Sequence, residues 1–181
     1  MQKQKNMETF LNLALQRRSI RRYQERPVER EKTDLILKAA LSSPSSKHLN
    51  PWEFVVVTDR DTLSAMSACR TYGSSMLAGA PLGIVVCVDA SLTDTWQCDG
   101  AIAALDMLLC AEDLGLGGCW VQVYGRAADS GLSAEQMIKD LLSIPRHLSV
   151  LCVVSIGYKE EEKKHINPDK LQYEKLHYGK Y

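Results

Sequence analysis

The chain has 181 residues, of which 45% are hydrophobic and 24% are charged, the usual balance of a soluble globular protein with its own core. Basic and acidic residues each number 22, so the net charge is zero and favours neither a nucleic acid nor a membrane surface as a partner. The longest apolar stretch, residues 101–111, is too short to span a bilayer, which needs about 20 residues.

The first half of the chain predicts two longer helices and two strands, besides a short helix described below. The first helix is amphipathic, and its apolar stripe consists of Met7, Phe10, Leu11 and Ala14. It leads into the basic segment RRSIRRY, residues 17–23. A second helix is predicted over 30–41 and is ended by Pro44. The β-branched run 54–57 predicts a buried strand, and 83–88 predicts another.

The second half predicts a long helix, further strands and a charged tail. The helix covers roughly residues 94–114, and its all-apolar middle indicates burial in a core or at a subunit interface. Strands are predicted at 119–124 and 148–156, with a helix between them. After Gly157 the chain is either a frayed tail or an arm that docks elsewhere, including on a second subunit. The interleaving of strands and helices indicates an α/β-type layered domain, whose strand order stays open.

Two short patterns predict helix starts. Thr58 and Asp61 resemble a capping box, and Ser133 and Gln136 form a second one. In such a box the first side chain accepts a hydrogen bond from a backbone N–H three residues later, so the pattern marks the residue before a helix. Helices are therefore expected directly after Thr58 and Ser133.

The six cysteines are scattered and none belongs to a C-x-x-C pair. Most lie in apolar runs, where a free thiol packs as a small hydrophobe. This pattern predicts free thiols in a reducing, cytoplasmic environment, and the N-terminal residues lack the apolar region of a signal peptide. The four histidines have no metal-ligand spacing with cysteines, so no metal site is expected.

Segment 17–21, RRSIR, carries three guanidiniums and a hydroxyl after a helix. Arginine forks and a serine hydroxyl match phosphate oxygens and would make a phosphate site. A solvated basic helix end explains the same residues, and composition alone favours that interpretation. A nucleic-acid-binding arm is a third option, against which the balanced net charge argues.

Residues 44–52, PSSKHLNPW, form a polar loop between a helix and a strand. Its donors and acceptors suit a polar ring edge or a ribityl chain, but an ordinary loop whose Trp52 covers the core explains it equally well. The glycines of 115–118 follow a helix and precede a strand, the reverse of a dinucleotide fingerprint, so a Rossmann site is excluded. These glycines end the helix or let a flat ligand approach closely.

Other catalytic patterns are missing from the sequence. It contains no G-x-S-x-G, no P-loop and no H-E-x-x-H, and no cysteine stands in a sequence pattern that marks a nucleophile. Since the protein's own acids, bases and nucleophiles are poorly represented, a bound cofactor is expected to carry the chemistry.

Five segments, taken in order, resemble the FMN-dependent nitroreductase family: RRSIRRY, PSSKHLNPWEF, the apolar helix with its GLGGCW exit, the last strand ending at Gly157-Tyr158, and the tail KLHYGKY. The resemblance runs from about Leu11 to the C-terminus. It implies an α+β fold with a central, mostly antiparallel sheet flanked by helices, built as an intertwined homodimer. Residues 1–158 would form the FMN-binding domain and 159–181 an arm that packs on the partner subunit. The helix around 101–111 would lie at the interface.

The resemblance also assigns cofactor-binding residues in the basic segment. Arg17, Arg18 and Ser19 match the phosphate and ribityl contacts. Arg21 matches the cation at the N1/O2 edge of the isoalloxazine, where reduced flavin carries negative charge. Lys163 and Lys164 match the basic tail position near the phosphate.

The remaining assignments fall on a loop and a strand. The loop that the other subunit supplies contains Pro44, Ser45, Ser46, His48 and Asn50. The family usually has Asn at the position of His48 and Gln at that of Asn50. Gln122 and Val123 match the strand whose backbone N–H groups approach flavin N5 and O4. The segment 73–79, GSSMLAG, offers no recognisable flavin contact of the kind that relatives have there.

The activity that the resemblance implies is an NAD(P)H-dependent FMN oxidoreductase. NADH or NADPH would reduce the flavin and leave, and a small oxidised acceptor such as a nitroaromatic or a quinone would then be reduced, a ping-pong mechanism. No protein group is expected to be catalytic, because flavin N5 does the chemistry. The alternative is a non-catalytic flavin-binding carrier or sensor, since the same residues bind FMN in either case. Neither a nucleic acid nor a membrane is an expected partner.

Overall fold

The computed structural model describes residues 10–181 as a succession of helices and strands. Met7, the first member of the predicted apolar stripe, lies outside the described residues. The elements are, in chain order, α1 (residues 10–16 of the described part), α2 (Arg30–Leu41), β1 (Trp52–Val57), α3 (Arg60–Ser67), β2 (Leu82–Asp89), α4 (Trp96–Asp113), β3 (Gly117–Gln122), α5 (Ala134–Leu142) and β4 (Leu148–Gly157).

The four strands form one antiparallel sheet in the order β1-β2-β4-β3. The pairing makes the fold α+β, as the resemblance implied, and the α/β class expected from the interleaving of elements is wrong. The order of elements along a chain does not fix strand direction, because direction depends on pairs such as Val85 and Val153, which are far apart in sequence.

Helices cover both faces of the sheet. On the face of α3 and α5, the buried core includes Leu63, Met66, Val85, Val121 and Ile138. On the face of α2 and α4, it includes Ile36, Val86, Met107, Leu108 and Val154. The strand β3 is an outer strand of this sheet, so segments outside the sheet can approach its free edge.

The helix starts agree with one capping pattern and correct the other. The Ser133 hydroxyl accepts the Gln136 N–H at 3.4 Å, which confirms the start of α5. At α3, however, the carboxylate of Asp59 accepts the Thr62 N–H at 2.8 Å. The box predicted at Thr58 is therefore wrong by one residue: both residues are acceptable caps, and the chain enters the helix at Asp59.

Glycines end α4 and bring β3 close to its neighbours. Gly115 adopts a φ of +75° directly after the helix, as the helix-ending interpretation requires. A side chain at Gly117 would come within 2.7 Å of Ile20 Cγ1, and one at Gly118 within 2.7 Å of Leu108 Cδ2. These two glycines therefore make room for side chains of the chain itself.

The charged segment after β4 has two different parts. Residues 159–166 form main-chain hydrogen bonds with α1 and the basic segment of the same chain. The Ile166 N–H donates to the Leu15 carbonyl at 2.9 Å, and the Glu160 N–H donates to the Arg22 carbonyl at 3.1 Å. Residues 167–181 are exposed throughout, including their apolar side chains. These side chains are Leu171, Tyr173, Leu176, Tyr178 and Tyr181.

All six cysteines are free thiols, as predicted. Four of them are buried: Cys69, Cys87, Cys119 and Cys152. Among residues 10–181, no helix combines the length and the apolar character that crossing a membrane demands.

Candidate functional site

The basic segment runs in an extended conformation along the free edge of β3. Ser19 pairs with Gly118 in a parallel bridge, and the Ile20 N–H donates to the Gly118 carbonyl at 3.0 Å. The Tyr23 hydroxyl donates to the Ile20 carbonyl at 2.6 Å and shares a hydrogen bond of 2.8 Å with Ser155 Oγ. Burial raises the pKa of Tyr23, so the phenol stays protonated and remains a donor. These contacts fix the segment on the sheet.

Because side chains alternate along an extended segment, the arginines divide between two sides of it. Arg17, Ser19 and Arg21 influence the pKa of the buried thiol of Cys119, as does Lys163 from the C-terminal segment. Burial raises the pKa of the Cys119 thiol, while the charges of Arg21, Lys163 and Arg17 and the Ser19 hydroxyl act in the opposite direction. Four of the predicted site residues therefore act on the pKa of the same buried thiol.

Arg18 lies on the other side of the segment and lines a cleft of about 660 Å³. Its guanidinium donates to the main-chain oxygen of Lys164. Lys163, whose ammonium donates to the Ser19 carbonyl at 2.5 Å, also lines this cleft. The structure thus brings predicted residues from both ends of the chain together, with Lys164 touching Arg18 through its main chain.

A carboxylate already occupies the main-chain donors of the segment. Glu161 Oε1 accepts the N–H groups of Arg21 at 2.6 Å and Arg22 at 3.3 Å, and lies 3.3 Å from Lys163 Nζ. The Arg21 N–H holds the pKa of Glu161 below its usual range. A second anion at this place therefore has side-chain donors available to it, rather than these backbone groups.

Gln122, the last residue of β3, and Val123, the residue after it, differ in main-chain orientation. The Gln122 carbonyl accepts a hydrogen bond from Arg70 Nη1 at 3.1 Å, whereas the Val123 N–H donates to the Leu151 carbonyl at 3.1 Å. In an antiparallel strand, successive residues point their N–H and C=O groups to alternate sides. The main chain of Gln122 therefore faces the free edge, and that of Val123 faces β4.

The predicted loop 44–50 is bonded to the N-terminal end of α4. The Ser45 hydroxyl donates to Asn50 Oδ1 and accepts the Asn50 N–H, both at 2.9 Å. The Ser46 N–H donates to Asp99 Oδ1 at 2.9 Å, in the first turn of α4. Pro44 enters this loop directly after the turn that ends α2.

The loop also holds an unusual backbone conformation. Lys47, His48 and Asn50 have φ values of 50°, 58° and 47°. A non-glycine residue in this region costs about 1–3 kcal/mol, and asparagine tolerates it best. Such strain persists where the surroundings enforce it, typically at ligand-binding and switch regions. Trp52 is buried in the core on the face of α2 and α4, as the ordinary-loop interpretation expects, and the positive φ values are a reason to examine the loop for a function.

The loop and the basic segment lie at opposite ends of α4. Asp99 bonds the loop at the first turn of α4. Glu112, in the last turn, forms an ion pair with Lys159 beside the basic segment, with 2.6 Å between Oε1 and Nζ. At a rise of 1.5 Å per residue, the two acidic residues are about 20 Å apart along the helix. Within one chain, the two groups of predicted residues are therefore separate.

Asp99 has one oxygen without a partner. Its residue is 3% exposed, and Oδ2 is buried with no hydrogen-bond donor in the described part of the chain. A buried acceptor left in this state lowers stability, so a donor from outside the chain would be stabilising. The sequence analysis missed Asp99. An acidic residue in the first turn of a helix is common, because it is favourable near the positive end of the helix dipole, so its position alone did not indicate a site.

Comparisons with known proteins give a consistent result over most of the chain. The model of the nitroreductase family matches residues 14–69 and 65–158. A protein of Archaeoglobus fulgidus whose name pairs NADH dehydrogenase with NAD(P)H nitroreductase is 39% identical over 93% of this chain and 99% of its own length. The solved structure of an FMN-dependent nitroreductase from Clostridium difficile R20291 is 46% identical, with a TM-score of 0.92, and covers 94% of this chain and 99% of its own. An NADPH-flavin oxidoreductase of Vibrio harveyi is 27% identical over 86% of this chain and 68% of its own length.

Proposed function

Because the chain belongs to the nitroreductase family, we propose that it is an NAD(P)H-dependent oxidoreductase with FMN as its cofactor. In this proposal FMN lies between two copies of the chain. Electrons pass from NADH or NADPH to small oxidised acceptors, such as nitroaromatics and quinones, by a ping-pong mechanism. The observation that carries the proposal is that loop 44–50 and the basic segment 17–21 lie at opposite ends of α4. One chain therefore cannot bring both to the same flavin, whereas the loop of a second copy could reach the basic segment of the first.

The donors around the basic segment have the chemistry that a flavin phosphate requires. Guanidinium forks bind phosphate oxygens bidentately, and hydroxyl and ammonium groups add single donors. We assign the phosphate and ribityl contacts to Arg17, Arg18 and Ser19. Lys163 and Lys164 add positive charge from the C-terminal segment, and the proximity of Lys163 Nζ to the Ser19 carbonyl supports this assignment.

The isoalloxazine is assigned to the free edge of β3. Arg21 supplies a cation to the pyrimidine edge, which carries negative charge in reduced flavin. The Gln122 N–H, which faces the free edge, would be the donor toward N5 and O4, and Val123, whose N–H donates to the Leu151 carbonyl, would flank the ring. Bound FMN supplies a group that accepts a hydride and passes electrons on, so the chain needs no nucleophile and contributes binding and orientation.

The net reaction needs only the nicotinamide and a proton. A nitro group becomes a nitroso group at the expense of one NAD(P)H and one proton, with release of one water molecule. A quinone takes the same hydride and proton to become a hydroquinone. No acid or base of the chain is assigned to this proton, because solvent reaches the basic segment, where Arg21 is exposed.

The second copy is assigned to the outer face of α4. Ile102 and Leu105 are 37% and 48% exposed on that face, although both are large apolar residues in a helix whose other side is core. Burying them against a second copy is favourable, as is a donor for Asp99 Oδ2. The loop residues proposed to reach the partner's flavin are Pro44, Ser45, Ser46, His48 and Asn50. The arm 159–181 is proposed to pack on the partner through its exposed part, 167–181.

The colour and absorbance spectrum of the purified protein test the cofactor, and mixing with NADH or NADPH tests the reaction. We expect a yellow protein that releases FMN on denaturation and whose flavin absorbance bleaches with at least one nicotinamide. Addition of a nitroaromatic or quinone should then restore the absorbance. A flavin that no nicotinamide reduces would refute the enzymatic proposal, and reduction without reoxidation by any acceptor would favour a carrier.

Substitution of Arg17 tests the phosphate assignment. Arg17→Ala should weaken FMN binding by about 1.5–3 kcal/mol, the usual contribution of a hydrogen bond to a charged group. Arg30→Ala is a matched control, because Arg30 is 91% exposed on α2 and makes only a 3.9 Å ion pair with Asp34. Equal FMN affinities for the Arg17 variant and the native protein would contradict the assignment.

A further inference from the structure

Arg70, in the loop after α3, reaches the free edge of β3 at the position of Gln122. Its Nη1 donates to the Gln122 main-chain oxygen at 3.1 Å, and the side chain is half-buried. The N–H of the same Gln122 faces the same edge. Arg70 therefore lies beside the backbone donor that the proposed function assigns to the reacting edge of the flavin, although nothing in its local sequence marks it.

The surrounding loop holds the Arg70 side chain in place. The guanidinium lies 3.5–3.6 Å from the point where a Cβ on Gly73 would be, and Gly73 has a φ of +83°. The buried Ser74 hydroxyl donates to the carbonyls of Ser67 at 2.6 Å and Arg70 at 3.3 Å, which closes the loop. Because the fold already restricts the Arg70 side chain, binding a ligand would cost less side-chain conformational entropy.

Arg70 has a positive charge without a counter-ion in the described part of the chain. None of the six ion pairs within residues 10–181 includes it, and the bond to Gln122 is the only hydrogen bond that its guanidinium donates there. Lys159, by contrast, is half-buried against the carboxylate of Glu112 at 2.6 Å. A guanidinium has five N–H donors, and most of those of Arg70 have no hydrogen-bond partner among residues 10–181. A partly desolvated cation of this kind is stabilised by an incoming anion.

We propose that Arg70 binds an anionic group on the acceptor, so that the preferred acceptors are small aromatic acids. This inference rests on the proposed function, because it uses the placement of Gln122 at the reacting edge. A carboxylate matches the two-pronged guanidinium, and its aromatic ring would extend from Arg70 over the free edge of β3. The 2′-phosphate of NADPH is another source of anionic oxygens, and the experiment separates the two.

The first measurement is binding without turnover. Isothermal titration calorimetry on the FMN-loaded protein compares benzoate, which cannot be reduced, with benzamide, which has the same shape and no charge. We expect benzoate to bind about tenfold to a hundredfold more tightly. Arg70→Gln should remove this difference, and Arg70→Lys should restore part of it, because lysine keeps the charge and loses the fork. The control is Arg60→Gln, which removes an exposed charge from α3 that pairs with Glu25 at 3.5 Å.

The second measurement is turnover with 4-nitrobenzoate and 4-nitrobenzamide. Arg70→Gln should raise KM for the acid about tenfold or more and leave kcat and the amide nearly unchanged. Equal binding of benzoate and benzamide by the native protein would overturn the proposal without any variant. So would an Arg70→Gln variant that loses both ligands equally, since Arg70 would then only support the loop.

A comparison of NADPH with NADH distinguishes a carboxylate on the acceptor from the 2′-phosphate of NADPH as the group that Arg70 binds. If Arg70→Gln changes the ratio of flavin bleaching by NADPH and NADH but leaves benzoate affinity intact, the guanidinium holds the nucleotide phosphate, and the acceptor proposal is wrong. Failure of the proposed function has a different signature, because neither nucleotide would then bleach the flavin of the native protein. Benzoate discrimination is measured independently of that result.

Discussion

The outer face of α4 allows a quantitative test of the two-copy arrangement through Leu105→Asp. Leu105 is 48% exposed in one copy. Complete burial of a leucine is worth about 1.5–3 kcal/mol, so covering the exposed half contributes about 1 kcal/mol per copy and about 2 kcal/mol per dimer. Loss of this term alone weakens association by about thirtyfold. The aspartate adds the desolvation of two unpaired carboxylates, several kcal/mol more.

Sedimentation velocity over a range of protein concentrations measures this change, and FMN content measures its consequence. We expect the Leu105→Asp protein to be monomeric at micromolar concentration and to lose FMN, because loop 44–50 no longer reaches the basic segment. Leu141→Asp is the matched control: Leu141 is 42% exposed on α5, on the opposite face of the sheet. A Leu105→Asp protein that stays dimeric and keeps its FMN would refute the assignment of α4 to the interface.

Two further predictions concern the fold around the site. Tyr23→Phe removes a buried donor to a main-chain carbonyl and should lower the free energy of unfolding by about 1–3 kcal/mol in urea denaturation; an unchanged midpoint would contradict the anchoring role. The Tyr158 hydroxyl bonds to both carboxylate oxygens of Glu29, at 2.7 and 2.9 Å, and is the main reason that the pKa of Glu29 falls from 4.5 to about 2. Since the folded-state pKa is the lower one, this stabilisation is present above about pH 4.5 and is lost as the pH falls toward 2. Tyr158→Phe should flatten the decrease of Tm over that range, and parallel Tm profiles would exclude the bond as its cause.

The elements that the sequence predicted well are those with strong local signals. The helix 30–41 is observed as Arg30–Leu41, and the last strand, predicted at 148–156, ends one residue later. Apolar periodicity and a following proline act within a few residues, so they are visible without the fold. The cap of α3 was wrong by one residue because Thr58 and Asp59 are both acceptable caps, and only the chain's path decides between them.

The features that escaped prediction depend on contacts between distant segments. The RRSIR run gives no indication that Arg18 faces a different side from Arg17 and Arg21, because this follows from the pairing of Ser19 with Gly118. Arg70 had no local signal at all, since its importance derives from a bond to a carbonyl on another element. The same holds for the free edge of β3, which exists only because β4 pairs with the other side of that strand.

If the proposed arrangement holds, cofactor binding and assembly are one equilibrium. A flavin that touches the basic segment of one copy and loop 44–50 of the other binds the dimer better than the monomer. By linkage, FMN must then tighten the dimer by the same factor by which dimerisation tightens FMN. The buried Asp99 Oδ2 and the strained loop that Asp99 holds are understandable in these terms. Both lower the stability of the single chain, and contacts with the partner and the cofactor would offset that loss together.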